Sequence, residues 1–297
     1  MSKGSLFWGK GSGKLGETVL YRAGGEQRTR TYVSKIKNPK TLAQMKNRLS
    51  MRNFAQCYRA MQAVLSKSFP NRPQSESGFN AFVKANKNAA TAVLDKFSSA
   101  AGLCAPVDMV MAQGYLTQFG VCERHNILGD DYVGFSLMAH PNITSIISLW
   151  QDEEGTNITT SVLFKKVWDA LQIPHSGVFT IIWATYEDEG YAVKTYRLTY
   201  DSSDAELGAL PSNLFMAGLS LTGEGITPCL AIASAADTEV LCTAIISWVD
   251  GNGKLQVTTS RMVSPVANDT YAAQFLPGGD YYQQVLEEYG YSQDSTL

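Results

Sequence analysis

The spacing of apolar residues changes along the chain, and the change marks two kinds of structure. From Leu42 to Leu65, apolar side chains return at helical intervals (Leu42, Met45, Leu49, Cys57, Met61, Val64, Leu65), while Lys40, Lys46, Arg48, Arg52 and Arg59 fall on the opposite face. Asn38-Pro39 supplies a capping side chain and a residue pre-set for the first turn, so the pattern predicts a helix from Pro39 to about Ser68. Phe69-Pro70-Asn71-Arg72-Pro73 ends it. Ser75-Glu76-Ser77 then opens a second, short helix carrying Phe79, Phe82 and Val83. Ahead of the helices, Thr18–Tyr21 and Arg28–Val33 flank Ala23-Gly24-Gly25 and predict a β-hairpin, in which Arg28 and Arg30 share one face.

After Val107 the period becomes strand-like. Runs 107–112, 132–138, 143–150, 178–186, 191–200 and 240–249 are rich in Val, Ile, Thr and aromatic residues and are separated by turn signals. Val240–Val249, Asp250-Gly251-Asn252-Gly253 and Lys254–Val263 make the clearest hairpin. No 10–15-residue helices are read alternating with these strands, which disfavours a doubly wound sheet. The pattern predicts an α+β chain: a basic N-terminal hairpin and helices, followed by an antiparallel β-sandwich of immunoglobulin-like kind. The organisation it implies is a basic arm, hairpin and helical region over 1–105, a β-sandwich over 106–266 and an acidic, Tyr-rich tail over 267–297, with a short helix around Tyr281–Tyr289. The Ala- and Ser-rich stretch 89–105 is the boundary this reading selects.

Charge sharpens that division. Residues 1–100 hold 18 Lys and Arg against 4 Asp and Glu, a balance of +14, whereas residues 101–297 hold 7 against 23, a balance of −16. The formal net charge of −2 therefore conceals a polarised molecule. At 297 residues and 44% hydrophobic, the chain has ample material for a packed core. No stretch reaches the ~18 apolar residues of a membrane span, and the first residues lack the apolar run of a signal peptide, so a cytoplasm-like site of synthesis is expected. Five cysteines without a C-x-x-C pair read as free, buried thiols.

The motifs that tempt fall short of their chemistry. Gly11-Ser12-Gly13-Lys14-Leu15-Gly16 matches the dinucleotide fingerprint but runs into a strand rather than a helix. Gly9–Leu15 misses the Walker A pattern by one residue and by the hydroxyl that must hold Mg²⁺. His125, His140 and His175 are isolated in sequence, and no nucleophile elbow is present. Asp152-Glu153-Glu154 and Glu187-Asp188-Glu189 lack the ligand spacing of a calcium loop and read as solvated turns. No enzymatic activity, cofactor or metal is expected.

The basic third offers a physical function instead. Lys10, Lys14, Arg22, Arg28, Arg30, Lys35, Lys37, Lys40, Lys46, Arg48, Arg52 and Arg59, interleaved with the rings of Phe7, Trp8, Tyr21 and Tyr32, are the candidate residues for binding a negatively charged partner. Two partners satisfy that chemistry. One is the acidic part of another copy, since head-to-tail contacts between unlike patches generate rings when the rotation closes. The other is nucleic acid, whose backbone meets cations and whose bases stack on rings.

Gly13-Lys14-Leu15-Gly16 with Val19-Leu20-Tyr21-Arg22, then Lys37-Asn38-Pro39-Lys40-Thr41 with Gln44 and Arg48, resembles the N-terminal signature of an uncharacterised Bacteroidota protein family. There, a G-K-x-G-x-x-V-x-Y stretch precedes an N-P-x-T-x-x-Q-x-x-x-R helix. Ser77–Asn86 is similar to that family's later helix, and Ala244–Trp248 through Ser260 to its final hairpin. The family extends to crAss-like phages, where its genes lie among those for virion structural proteins. The resemblance implies a ring or connector-type subunit of the portal–tail region, made in the host cytoplasm and incorporated in the virion. Its implied partners are further copies in a ring-like homo-oligomer, other virion proteins and DNA, with no membrane.

Overall fold

A computed structural model describes residues 12–23, 26–35, 41–87, 92–107, 109–116, 122–127, 130–136, 160–170, 172–208, 216–222, 225–233, 240–262 and 273–290. The run 143–150, the acidic cluster 152–154, His140 and the Gly24-Gly25 turn lie outside them. The chain divides into two compact units, Met1–Gln44 and Met45–Leu297.

Unit 1 holds a three-stranded antiparallel meander, β1 (Gly13–Leu15), β2 (Thr18–Ala23) and β3 (Glu26–Thr31). The hairpin read from Thr, Val and Tyr is present, and β1 adds a third strand from the glycine-rich start. Gly16, at φ +57°, makes the reversal between β1 and β2 in a conformation that glycine adopts at low cost.

α1 (Leu42–Ala60) belongs to unit 2 from Met45 onward, and its buried Met45, Leu49, Phe54 and Cys57 follow the helical period. The helix expected to reach Ser68 breaks at Met61 (φ −116°, ψ 19°) and resumes as α2 (Gln62–Leu65). The apolar stripe survives the break, because Met61 and Leu65 are both buried. Helix α3 (Gly78–Asn86) starts where Ser77 Oγ accepts the Asn80 amide at 3.1 Å. Gly78 lets α3 approach the preceding helices, since a Cβ there would sit 2.8 Å from Tyr58 Oη and 3.1 Å from the Ser66 backbone. Phe54, Tyr58, Phe69, Phe79 and Phe82 join α1, α3 and the intervening turn in one aromatic cluster.

The stretch chosen as a boundary is interior structure. Ala92, Val93, Leu94, Leu103, Cys104 and Ala105 are all buried, and the short α4 (Lys96–Ala100) between them is capped by Asp95. Asn53 of α1 fastens both arms of this segment: its amide donates to the Ala92 and Ala105 carbonyls at 3.3 and 2.9 Å, and its oxygen accepts the Ala105 amide at 2.9 Å. Cys104 pairs with Tyr191 through two backbone hydrogen bonds. Helices and sheet are thus stitched together across residue 105.

The strands form several antiparallel sheets. β12 (Leu255–Val257), β11 (Val240–Val249), β7 (Val178–Glu187) and β8 (Gly190–Leu198) make one sheet of order β12-β11-β7-β8. β5 (Cys122–Ile127), β6 (Asp130–Ser136), β10 (Gly225–Ala233) and β9 (Met216–Thr222) make another, of order β5-β6-β10-β9. The C-terminal hairpin is shorter than expected. β12 pairs with β11 over three residues, after which the chain leaves the sheet and β13 (Ser260–Met262) pairs with β4 (Met109–Ala112). Thr258 and Ser260 mark the departure: Thr258 Oγ accepts the Ile246 amide at 3.0 Å, and the Ser260 hydroxyl bonds to that of Thr243.

Two further helices complete the described part. α5 (Thr160–Ala170) lies between β6 and β7, where no helix was expected. It buries Phe164 and Trp168 one turn apart, and Trp168 Nε1 donates to the Pro174 carbonyl at 3.3 Å. α6 (Asp204–Gly208) is a single turn. Near the C-terminus, α7 (Asp280–Glu288) buries Tyr281, Tyr282, Val285 and Leu286, and the preceding Phe275 is fully buried. The architecture is mixed α+β with several antiparallel sheets. Among the described residues, no sheet closes into a barrel.

Candidate interaction surface

The register of the unit 1 meander decides which of the predicted cations stand together. Lys14 lies opposite Val19, Val19 opposite Arg30, and Tyr21 opposite Arg28. Directly paired residues share a face, so Lys14, Tyr21, Arg28 and Arg30 are co-facial. Tyr32 continues the alternation and is tied to the turn by its amide, which donates to the Glu17 carbonyl at 2.5 Å. Lys14 Nζ stands 3.4 Å from the Tyr32 ring centroid, a cation–π contact on the same face. Both rings are open to solvent, Tyr21 at 39% and Tyr32 at 41% exposure. The only ion pair formed by these cations among the described residues is Arg28–Glu26 at 3.5 Å, with both side chains more than half exposed. Such a surface pair is worth little and leaves the face positive.

Arg22 belongs to the other face, two residues from the buried Leu20 on β2 and opposite Gln27. Lys35 follows the sheet and is exposed. Lys10, Lys37 and Lys40 lie outside the described residues.

The cations of α1 are placed differently. Arg48 and Arg59 are exposed, and Arg59 Nη1 donates to Gln56 Oε1 at 3.2 Å. Lys46 and Arg52 are half-buried against α7. Arg52 Nε donates to Ser99 Oγ at 2.9 Å and its Nη1 donates to the Tyr289 hydroxyl, while the guanidinium carbon is 5.6 Å from the Tyr289 ring centroid. Lys46 Nζ is 5.8 Å from the Tyr282 ring centroid. Lys96 of α4, which sequence reasoning did not select, completes the seam, 3.4 Å from Glu288 Oε1 and 4.5 Å from the Tyr289 ring centroid. Part of the acidic, Tyr-rich tail therefore meets part of the basic helix within one chain.

A polar knot anchors the start of α7. The Tyr281 hydroxyl donates to Asp95 Oδ2, Ser98 Oγ donates to the same oxygen at 2.6 Å, and the Ser98 amide donates to Asp95 Oδ1 at 2.8 Å. Burial works against the Asp95 charge, yet the hydrogen bonds from Ser98 and Tyr281 outweigh it and hold the carboxyl below its ordinary range. Burial and the Asp95 partner push the Tyr281 phenol well above its usual value. The spacing of Tyr281, Tyr282, Val285, Leu286 and Tyr289 was the available signal for a helix docked on something. It did not say on what.

Other candidate chemistry stays dispersed. His175 is exposed, stacks on Tyr200 at 3.7 Å between ring centroids and lies 3.3 Å from Asp169 Oδ1. No cluster of three His, Cys, Asp or Glu side chains suited to a metal ion occurs among the described residues. Cys57, Cys104 and Cys242 are buried and form no disulfide. Gly13-Lys14-Leu15 is strand β1 and Gly16 a turn, so the fingerprint-like run does not open a helix. No helix of the described residues is long and apolar enough to cross a membrane. Comparison with protein-family models, with curated proteins and with solved structures finds no match for the chain.

Proposed function

We propose that the chain is a non-enzymatic structural subunit of a phage virion, of ring or connector type in the portal–tail region, that associates head to tail with copies of itself. The observation that carries this reading is the co-facial set Lys14, Arg28 and Arg30 on the unit 1 sheet, solvated and neutralised by Glu26 alone among the described residues. Unit 2 offers the complementary sign: Glu187, Asp188 and Glu189 at the β7–β8 turn and Asp201, Asp204 and Glu206 beside α6 are all exposed. Unlike patches on one molecule favour heterologous contacts, which form a ring when the rotation between neighbouring copies closes. The resemblance of residues 13–48 to a family found among virion structural genes supplies the setting. On this reading the sheets β12-β11-β7-β8 and β5-β6-β10-β9 are the two layers of a sandwich that forms the rigid body of the subunit.

The test is the oligomeric state of the purified full chain against salt, by light scattering on a sizing column. At ~0.05 M salt a ring-sized oligomer is expected, and at ~1 M, where the Debye length is ~3 Å, its dissociation. Lys14→Glu, Arg28→Glu and Arg30→Glu together should leave a monomer at both. A monomer at every salt concentration overturns the proposal.

A second reading, nucleic-acid binding, is favoured by Tyr21 and Tyr32, rings that an acidic protein surface would not require. It predicts affinity for single-stranded DNA whose logarithm falls linearly with the logarithm of salt concentration and which drops when both tyrosines become alanine. A flat salt response ends it.

A further inference from the structure

We propose that unit 2 carries an anion-binding cleft beside α3, separate from the docking surface of unit 1. The cleft encloses about 580 Å³ and is bounded by the Phe69–Glu76 turn, α3 and the chain leaving β4. That volume falls in the range of small-molecule sites.

Its shape follows from small side chains. α3 lines the cleft with Ala81 and Ala85, one turn apart, where larger residues would fill it. On the far side the chain passes so close to Val257 at Gly114 that a Cβ there would sit 1.8 Å from the Val257 carbonyl oxygen. Phe69 and Val110 supply an apolar wall.

The chemistry lies in two cations. Arg72 is pinned by its own turn: Nη1 donates to the Phe69 carbonyl at 2.9 Å and Nε to the Glu76 carbonyl at 3.2 Å. Its Nη2 has no partner among the described residues. A guanidinium already held in place loses little entropy on meeting an oxyanion, and its planar fork matches a carboxylate or phosphate. Lys84 stands on the same face of α3, exposed and without an ion-pair partner among the described residues. With the Glu76 carboxylate counted, the charged lining sums to +1. One oxyanion on a compact apolar body is the ligand this arrangement suits.

The experiment is calorimetric titration of the full chain with phenyl phosphate, with benzoate as the carboxylate counterpart, inorganic phosphate as the anion without a ring and phenol as the ring without an anion. Phenyl phosphate or benzoate is expected to saturate at one per chain and to bind about tenfold more tightly than phenol or inorganic phosphate. Whichever of the two binds more tightly identifies the oxyanion. Lys84→Ala should weaken binding about fivefold, as the loss of one surface charge does. Ala85→Phe, which fills the cleft from an already helical position, should abolish binding while the melting transition stays in place. Equal binding of phenol and the two anions, or binding that survives Ala85→Phe unchanged, overturns the proposal.

Discussion

On the unit 1 sheet, Lys14, Arg28 and Arg30 stand in solvent, whereas on α1 Lys46 and Arg52 are half-buried beneath α7. The two sets belong to the same basic stretch and carry the same charge, so sequence alone treats them as one surface. The structure separates them by what lies above. Arg52 has a serine, a tyrosine hydroxyl and an aromatic face around it; Arg30 lies opposite Val19 on an open strand. A run of cations is therefore no measure of the positive surface a fold presents, because an acidic helix from the far end of the chain removes part of it. Lys46 and Arg52 are engaged within unit 2, and the sheet cations Lys14, Arg28 and Arg30 stand exposed.

Substitutions at the α7 seam should separate the two regions most strongly. Tyr281→Ala removes a buried ring and the hydroxyl that bonds to Asp95, and is expected to cost ~3–5 kcal/mol in urea unfolding of the full chain. Arg52→Ala should follow at ~1–3 kcal/mol, because it strips Ser99 and Tyr289 of a charged donor in a half-buried place. Arg28→Ala and Arg30→Ala should fall within ~0.5 kcal/mol, the usual range for exposed side chains. If Arg30→Ala cost as much as Arg52→Ala, the contrast between the regions would fail.

Acid and alkali should both act on the α7 seam. Asp95 titrates lower in the folded chain than its ordinary value of ~3.9, so its contribution is present in full above that value and is lost as pH falls through the depressed one. Asp95→Asn should accordingly flatten the acid limb of the stability curve. Tyr281 is shifted the other way: the folded state keeps the proton that the unfolded chain releases near pH ~10, so stability is full below that pH and declines above it. Tyr281→Phe should flatten the alkaline limb. An unchanged pH profile in both variants would show that the knot does not govern the docking of α7.

The elements that could be read from the sequence were those whose signal is local. The hairpin β2–β3, the stripe of α1, the Ser77 cap of α3 and the helix at Tyr281–Tyr289 each rest on neighbours in the chain, and each is present, although the helix expected to reach Ser68 breaks at Met61. α5 was missed because Thr160-Ser-Val-Leu-Phe-Lys-Lys-Val-Trp-Asp-Ala170 mixes β-branched and aromatic residues, which lower helix propensity, and only burial of Phe164 and Trp168 decides for the helix. The exit of β12 toward β4 depends on partners more than a hundred residues away, which no hairpin signal encodes. The Ala- and Ser-rich stretch 89–105 reads as a boundary by composition, yet Asn53, Phe275 and Tyr191 hold much of its described part in the interior. For the candidate surface, alternation along one strand correctly placed Arg28 and Arg30 together. That Lys14 and Tyr32 join them required β1 and the register, and that Arg52 does not required α7.

The smallest expected effect tests whether the sheet cations are truly free of structural duty. Lys14 over Tyr32 is an exposed cation–π contact, worth ~0.5–1 kcal/mol at such sites. Tyr32→Leu keeps a large apolar side chain on β-favouring backbone and removes only the ring. It should lower stability by no more than that amount, while the ring-current upfield shift expected for the Lys14 side-chain protons of the wild type disappears in the NMR spectrum. Tyr21→Leu, opposite Arg28, should leave the Lys14 protons where they are. A loss near that of Arg52→Ala would mean that the ring holds the meander together, and the sheet would then resemble the α7 seam in spending its charge on its own fold. A loss of ~1 kcal/mol or less, with the Lys14 shift abolished, keeps the two regions distinct, because the contact then orients a cation without being needed to fold the strand that bears it.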